Sequence, residues 1–188
     1  GYKFAKIENG KFYGYDSNGF EKPFSSLKPK DKQILGNALP VVTWGLSSSM
    51  NFYNVDFSFN LRGAIGGNLL NTKRIAYGSS SAIAYGNMIV SPDNELAPPS
   101  EMTDYYLESG TFVKLGDVTL GYTFQIKEEV AKYIHNARIY FTAQNLATLT
   151  SYSGLDPEAV NMTGLEPGIE GVQFYPIPRT FMLGVNLT

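Results

Sequence analysis

The chain has 188 residues and a formal net charge of −2, with 17% charged and 14% aromatic side chains, 19 glycines and no cysteine. That length allows one sizeable domain with a real core. The charge balance excludes an electrostatic nucleic-acid binder, and the absence of cysteine excludes a disulfide framework, a thiolate nucleophile and a thiolate metal site. No run of about 18 apolar residues occurs, which excludes a transmembrane helix but not a β-barrel, whose lipid face is hidden in alternation.

Residues 1–42 read as a hairpin followed by an irregular connector. In "YKFAKIENGKFYGY" two short runs flank Asn9-Gly10, the strongest two-residue hairpin signal. The stretch "DSNGFEKPFSSLKPKDKQILGNALP" is charged and broken by prolines 23, 29 and 40.

Residues 43–188 change character to antiparallel strands separated by long loops. Trp44, Leu46, Met50 and Phe52 alternate with Thr43, Gly45, Ser47, Ser49 and Asn51, and Ser48 is the one exception on the apolar face. After Tyr53-Asn54, Val55, Phe57, Phe59 and Leu61 alternate with Asp56, Ser58 and Asn60, so a tight hairpin is expected. Residues 63–110 are too long for an idle loop and carry Gly, Ser and Pro throughout. A third strand places Val118, Leu120, Tyr122 and Phe124 opposite Asp117, Thr119, Gly121 and Thr123. Ile126, Val130 and Ile134 then share the face of one short helix. "ARIYFTAQNLATLT" is the fourth strand, 149–179 a second long loop, and Phe181, Leu183, Val185 and Leu187 mark the fifth.

The polar strand faces are built from Gly, Ser, Thr and Asn rather than Lys and Glu. Connections alternate between short (53–54, 125–137) and long (63–110, 149–179). Outer-membrane barrels show this asymmetry, and the parity puts the C-terminus on the short-turn, periplasmic side. A soluble β-sandwich also alternates, burying one face against a second sheet. Periodicity alone leaves both readings open.

Four stretches in order resemble the SusC/RagA-type TonB-dependent outer-membrane receptors. The first matches at Gly36, Asn37, Pro40, Trp44, Gly45, Leu46, Asp56, Gly63, Gly66 and Asn71. The others are "YYLESGTFVKLGDVTLGYTF", "ARIYFTAQNLATLTSYSGLDPE" and the terminal "YPIPRTFMLGVNLT". The resemblance implies the C-terminal segment of a large outer-membrane β-barrel. It further implies import of nutrients, glycans or oligopeptides, with a SusD-like surface lipoprotein and TonB as partners and membrane lipid around the strands. The family's plug domain and TonB-contacting segment have no counterpart in these residues. An aromatic residue commonly closes its last strand beyond the position of Thr188. Two alternatives from other classes are a soluble β-sandwich carbohydrate-binding module and a small self-closed barrel with a structural role.

No enzyme is expected, and no cofactor. His135 is the only histidine and there is no Gly-x-Ser-x-Gly elbow. Asp16-Ser17-Asn18-Gly19 opens like a calcium loop but lacks the later ligands, so a turn is expected and no metal site is assigned. Asp156-Pro157-Glu158 reads as a solvated turn rather than an acid–base pair. "GAIGGN" follows a strand without opening a helix, which argues against a phosphate cradle. Asn161-Met162-Thr163 and Asn186-Leu187-Thr188 match a glycosylation sequon without meaning in a bacterial chain. Tyr77, Tyr85, Tyr105, Tyr106 and Tyr152 lie on the long loops, where they either stack on sugar rings or pack the loops. Ligand-binding residues are not assignable from sequence.

Overall fold

The structure is a computed structural model and describes residues 1–84, 86–91, 93–95, 102–126, 133–158 and 167–188. In chain order the elements are β1 (Phe4–Glu8), β2 (Lys11–Tyr15), β3 (Glu21–Pro23), β4 (Val42–Phe52), β5 (Val55–Ile65), β6 (Asn68–Leu70), α1 (Thr72–Tyr77), β7 (Leu107–Ser109), β8 (Phe112–Phe124), β9 (Ala137–Thr150) and β10 (Thr180–Leu187). Two compact units result: a sheet unit (42–65, 112–150, 177–188) and a loop unit (1–41, 66–111, 151–176).

The sheet unit is one antiparallel layer in the order β10-β9-β8-β5-β4. Its strands are those expected from the alternation, and β4 and β5 meet in a hairpin whose register runs from Val42↔Ile65 to Phe52↔Val55. One extra residue in β8 against β5, near Gly116, is followed by one in β9 against β8, near Asn145. A lone bulge shifts one strand's alternation relative to its partner; each of these is placed so that apolar side chains stay on one face. Leu61, Leu115 and Ala147 remain cross-strand neighbours beyond them.

That apolar face is open. Phe181 and Leu183 are 60% and 73% exposed, and Leu46, Met50, Leu120, Phe141 and Val185 are also exposed. Trp44 marks one end, lying so close to Gly63 that an added Cβ would meet the indole at 2.7 Å. Phe52, Tyr53, Tyr122 and Phe124 mark the other, with T-shaped ring pairs at 4.6 and 5.0 Å. Trp44 and Phe52 stand eight residues apart on β4, about 27 Å at about 3.4 Å per residue. Tilted by about 35–45° as barrel strands are, this span projects to about 19–22 Å, which fits inside the roughly 25 Å apolar band of an outer-membrane barrel. A sandwich would bury this face under a second sheet and a small barrel would join β4 to β10. Neither feature occurs: the sheet has one layer, and β4 and β10 each pair on one side only among the described residues.

The opposite face carries a polar row. Asp56, Gly121, Tyr140 and Gly184 are mutual partners across β5, β8, β9 and β10. Arg138 reaches across Gly121 to grip Asp56 with Nε–Oδ1 at 2.8 Å and Nη2–Oδ2 at 2.5 Å, while its guanidinium lies 4.9 Å from the Tyr140 ring. A Cβ on Gly121 would come within 2.5 Å of both partners, so only glycine leaves room for the pair. Thr119 and Thr142 hydroxyls bond at 2.9 Å on the same face.

The loop unit holds the remaining elements. β1, β2 and β3 form one small sheet and β6 pairs β7. Asn9 and Gly10 turn the expected hairpin with φ of 51° and 71°, the left-handed pair that a two-residue turn requires. Tyr2, Phe4, Phe12, Phe24, Tyr105 and Tyr106 stack edge to face around it. The expected short helix at 126–134 falls mostly on residues outside those described. The helix that is described, α1, lies in a stretch read as loop; six residues are too few to show a periodic face, and capping by Asn71 rather than amphipathicity starts it.

Candidate functional site

The loop unit contains a cavity of about 540 Å³ beside α1, mostly apolar in surface, lined by Tyr77, Ile89, Val90 and Leu155 together with the polar Asn71, Arg74, Glu108 and Ser153. That volume lies within the range of small-molecule sites. Asn71 Oδ1 accepts the Arg74 backbone N–H at 2.9 Å, and its Nδ2 donates to Glu108 Oε1 and Ser153 Oγ, each at 3.1 Å. Glu108 also accepts the Ser153 N–H at 2.6 Å and hydroxyl at 2.7 Å. Helix start, β7 and the second long loop are therefore joined through one asparagine and one carboxylate.

Arg74 leaves α1 toward Asp93, donating from Nε at 2.5 Å and Nη2 at 3.1 Å, and its guanidinium stacks 4.7 Å from the Tyr105 ring. Tyr105 and Ser91 donate to Asp93 at 2.6 and 3.1 Å. Burial works against the Asp93 charge, but the bonds from Arg74 and Tyr105 outweigh it and hold the carboxyl below its usual range. Burial also opposes the Arg74 charge, and Asp93 and Glu108 reverse the balance so that its pKa is raised. Tyr105 is pushed up by burial and by Asp93. On the far side of α1, fully buried Glu170 accepts the Tyr152 hydroxyl at 2.7 Å and lies 3.5 Å from Lys73 Nζ, while Thr72 bonds the Glu170 carbonyl. Burial first, then Glu170, raises the Tyr152 phenol.

This arrangement suits binding rather than bond-breaking. Ser153 faces a carboxylate but no imidazole, and His135 is an exposed residue of the sheet unit whose backbone N–H bonds the Thr188 carbonyl at 2.5 Å. Asp16 spends Oδ1 on the N–H groups of Asn18 and Phe20, both at 2.9 Å, and Oδ2 on Lys22 at 2.6 Å, which makes the stretch a turn. Among the described residues no group of three or more His, Cys, Asp or Glu is placed to hold a metal ion. Asp156 does form a turn, accepting the Glu158 N–H at 2.9 Å, but it is buried rather than solvated because its carboxylate faces its own backbone. Gly66 spends its N–H on the Thr111 hydroxyl and the Gly67 carbonyl accepts the Gly110 N–H, each at 3.0 Å. Tyr106 and Tyr152 are buried and Tyr105 half-buried, so these three pack the loops; Tyr77 lines the cavity and Tyr85 lies outside the described residues. Asn161-Met162-Thr163 also lies outside them. Sequence reasoning missed Arg74, Asp93 and Glu170, since nothing local distinguishes them from surface charges.

The motif residues meet one another. Asp56 of the first stretch grips Arg138 of the third, Asn71 joins Glu108 of the second to Ser153, and Asn145 donates to the Ile177 carbonyl of the terminal stretch.

One antiparallel layer, apolar and open on one side and polar on the other, with elaborate connections between strands, has the form of a segment of a large β-barrel. No family model matches the chain. Over 193 residues it is 31% identical to the TonB-dependent receptor SusC of Bacteroides thetaiotaomicron, covering 92% of this chain and 18% of that protein. Over 196 residues it is 28% identical to the TonB-dependent receptor P3 of Formosa agariphila, covering 94% of this chain and 18% of that one. The chain is of the SusC/RagA type of TonB-dependent receptor and spans about a fifth of the length of the relatives it matches. Its fold is similar to the RagAB peptide importer in the open-open state, with a TM-score of 0.73 at 20% identity over 99% of this chain and 22% of that one. The structure of the RagAB peptide transporter gives 0.71 at 20% identity over the same shares.

Proposed function

We propose that these residues are the C-terminal barrel segment of an outer-membrane receptor that imports a polar oligomeric nutrient, a glycan or an oligopeptide, with energy from TonB and a SusD-like surface lipoprotein as partner. The carrying observation is the open apolar face of the single-layer sheet, bounded by Trp44 at one end and by Phe52, Tyr122 and Phe124 at the other. In water such a face is a liability; against acyl chains it is the matching surface. The Gly, Ser, Thr and Asn face then lines the lumen, and the loop unit supplies polar contacts for cargo. No catalytic role is assigned.

The test is fractionation and uptake with the whole receptor that carries these residues. The expected result is recovery in the outer membrane, heat-modifiable mobility, and TonB-dependent uptake of labelled glycan or peptide that disappears on gene deletion. A compact monomer in plain buffer without detergent overturns the reading.

A further inference from the structure

Charge is unevenly distributed along the chain. Residues 1–33 carry seven lysines and four carboxylates, while the remainder carries eight Lys and Arg against thirteen Asp and Glu. Part of the excess is neutralised locally: Lys6 lies 3.3 Å from both Glu8 and Glu21, and Lys22 pairs with Asp16. Lys3 and Lys30 form no ion pair among the described residues. Together with Lys32 they wall a recess of about 520 Å³ that also presents Tyr15, Ser17 and Gln33.

The two carboxylates that also line that recess are engaged by donors of the protein itself. Asp31 accepts the backbone N–H of Ser17 at 2.9 Å and of Lys28 at 2.8 Å, and Asp16 is committed to its turn and to Lys22. Both are buried; the Lys22 bond and then the Phe20 N–H hold Asp16 below the usual carboxylate range, and the N–H groups of Lys28 and Ser17 do the same for Asp31, so both stay charged and bound to their donors. Lys3, Lys30 and Lys32 are exposed at its wall, with the Lys3 ammonium 5.8 Å from the Tyr15 ring and the Lys32 ammonium 5.2 Å from the Tyr2 ring. Point-like cations suit sulfate and carboxylate groups, the Gln33 amide suits sugar hydroxyls, and a tyrosine wall suits the C–H face of a pyranose.

We propose that this lysine-walled recess binds the acidic groups of an anionic oligosaccharide, a carboxylated or sulfated glycan. The proposal rests on the transport reading above and narrows its cargo class.

The experiment is titration calorimetry on the whole receptor in detergent, with oligogalacturonate, chondroitin sulfate oligosaccharides, neutral maltoheptaose, inorganic sulfate and lipopolysaccharide micelles as probes. The expected result is binding of the acidic oligosaccharides at least about tenfold tighter than maltoheptaose, weakening as salt rises from about 50 to about 300 mM. The triple variant K3Q/K30Q/K32Q loses about tenfold or more for the acidic probes, and K3R/K30R/K32R keeps the binding; all three positions are exposed, and heat-modifiable mobility checks that each variant is folded. Equal affinity for neutral and acidic sugars, or an unchanged glutamine variant, overturns the proposal. Binding of sulfate as tight as that of the oligosaccharides, or binding confined to lipopolysaccharide, overturns it too. The second outcome assigns the lysines to the membrane surface. A receptor that takes up cargo without acidic preference sinks only this proposal, whereas failure to reach the outer membrane sinks the transport reading itself.

Discussion

The sheet unit and the loop unit achieve order by different physics. In the sheet, position is set by period: backbone ladders satisfy the polar groups, and each side chain's face follows from the parity of its number. In the loop unit, order is set by individual contacts, since buried Asp93, Glu170 and Asp156 are acceptable only where donors meet them. The sheet therefore tolerates many exchanges within a face and few across it. The loop unit tolerates few changes at its charged residues, whatever the replacement's size.

The largest effect that would test this contrast is Arg74→Ala. It leaves Asp93 buried without its cation, a loss of about 3–5 kcal/mol. Limited proteolysis should then cut within 66–111 while the barrel stays heat-modifiable. Slightly smaller is Val118→Arg on the open apolar face, in the row midway between Trp44 and Phe52, expected to cost about 2–4 kcal/mol near the middle of a bilayer by urea titration in lipid vesicles. Its neighbour Thr119→Arg, on the polar face, should cost far less; equal costs would break the assignment of faces.

Gly121→Ala asks whether the sheet also depends on a specific contact. The added Cβ displaces the Asp56–Arg138 pair, whose side chains are 30% and 26% exposed, so about 1 kcal/mol is expected, read from the same titration. A loss near that of Arg74→Ala would place this row with the loop unit's contacts. Gly10→Ala is the smallest, about 1 kcal/mol or less, because its φ of 71° strains any other residue while nothing lies within 4 Å of the new methyl.

Titration separates the units without mutation. Asp93 has a folded pKa below its unfolded value, so its contribution is present above about pH 4 and is lost as pH falls through the folded pKa. Tyr105 and Tyr152 have raised values, so theirs is present below about pH 10 and is lost as pH rises toward the folded pKa. Proteolytic protection of the loop unit should hold between these limits and fall outside them, with the sheet's heat-modifiability less affected.

By itself the sequence determined the five long strands, the side most residues take and the two tight turns. Alternation leaves one face assignment along β4, β5 and β10, the bulges near Gly116 and Asn145 that switch it within β8 and β9 were not legible, and Asn9-Gly10 and Tyr53-Asn54 mark where a reversal is required. It also carried the kinship, through motifs such as Asp56, Arg138-x-Tyr140 and Asn71. Only the tertiary structure decided that those motifs are contacts with one another, that Tyr106 and Tyr152 are buried, and that α1 lies where a loop was expected. The reason is range: a strand's face depends on neighbours two residues away, whereas Arg74 finds Asp93 at a separation of 19 and Arg138 finds Asp56 at 82. No local pattern encodes such pairings, and of the two it is Arg74–Asp93 that borders the cavity.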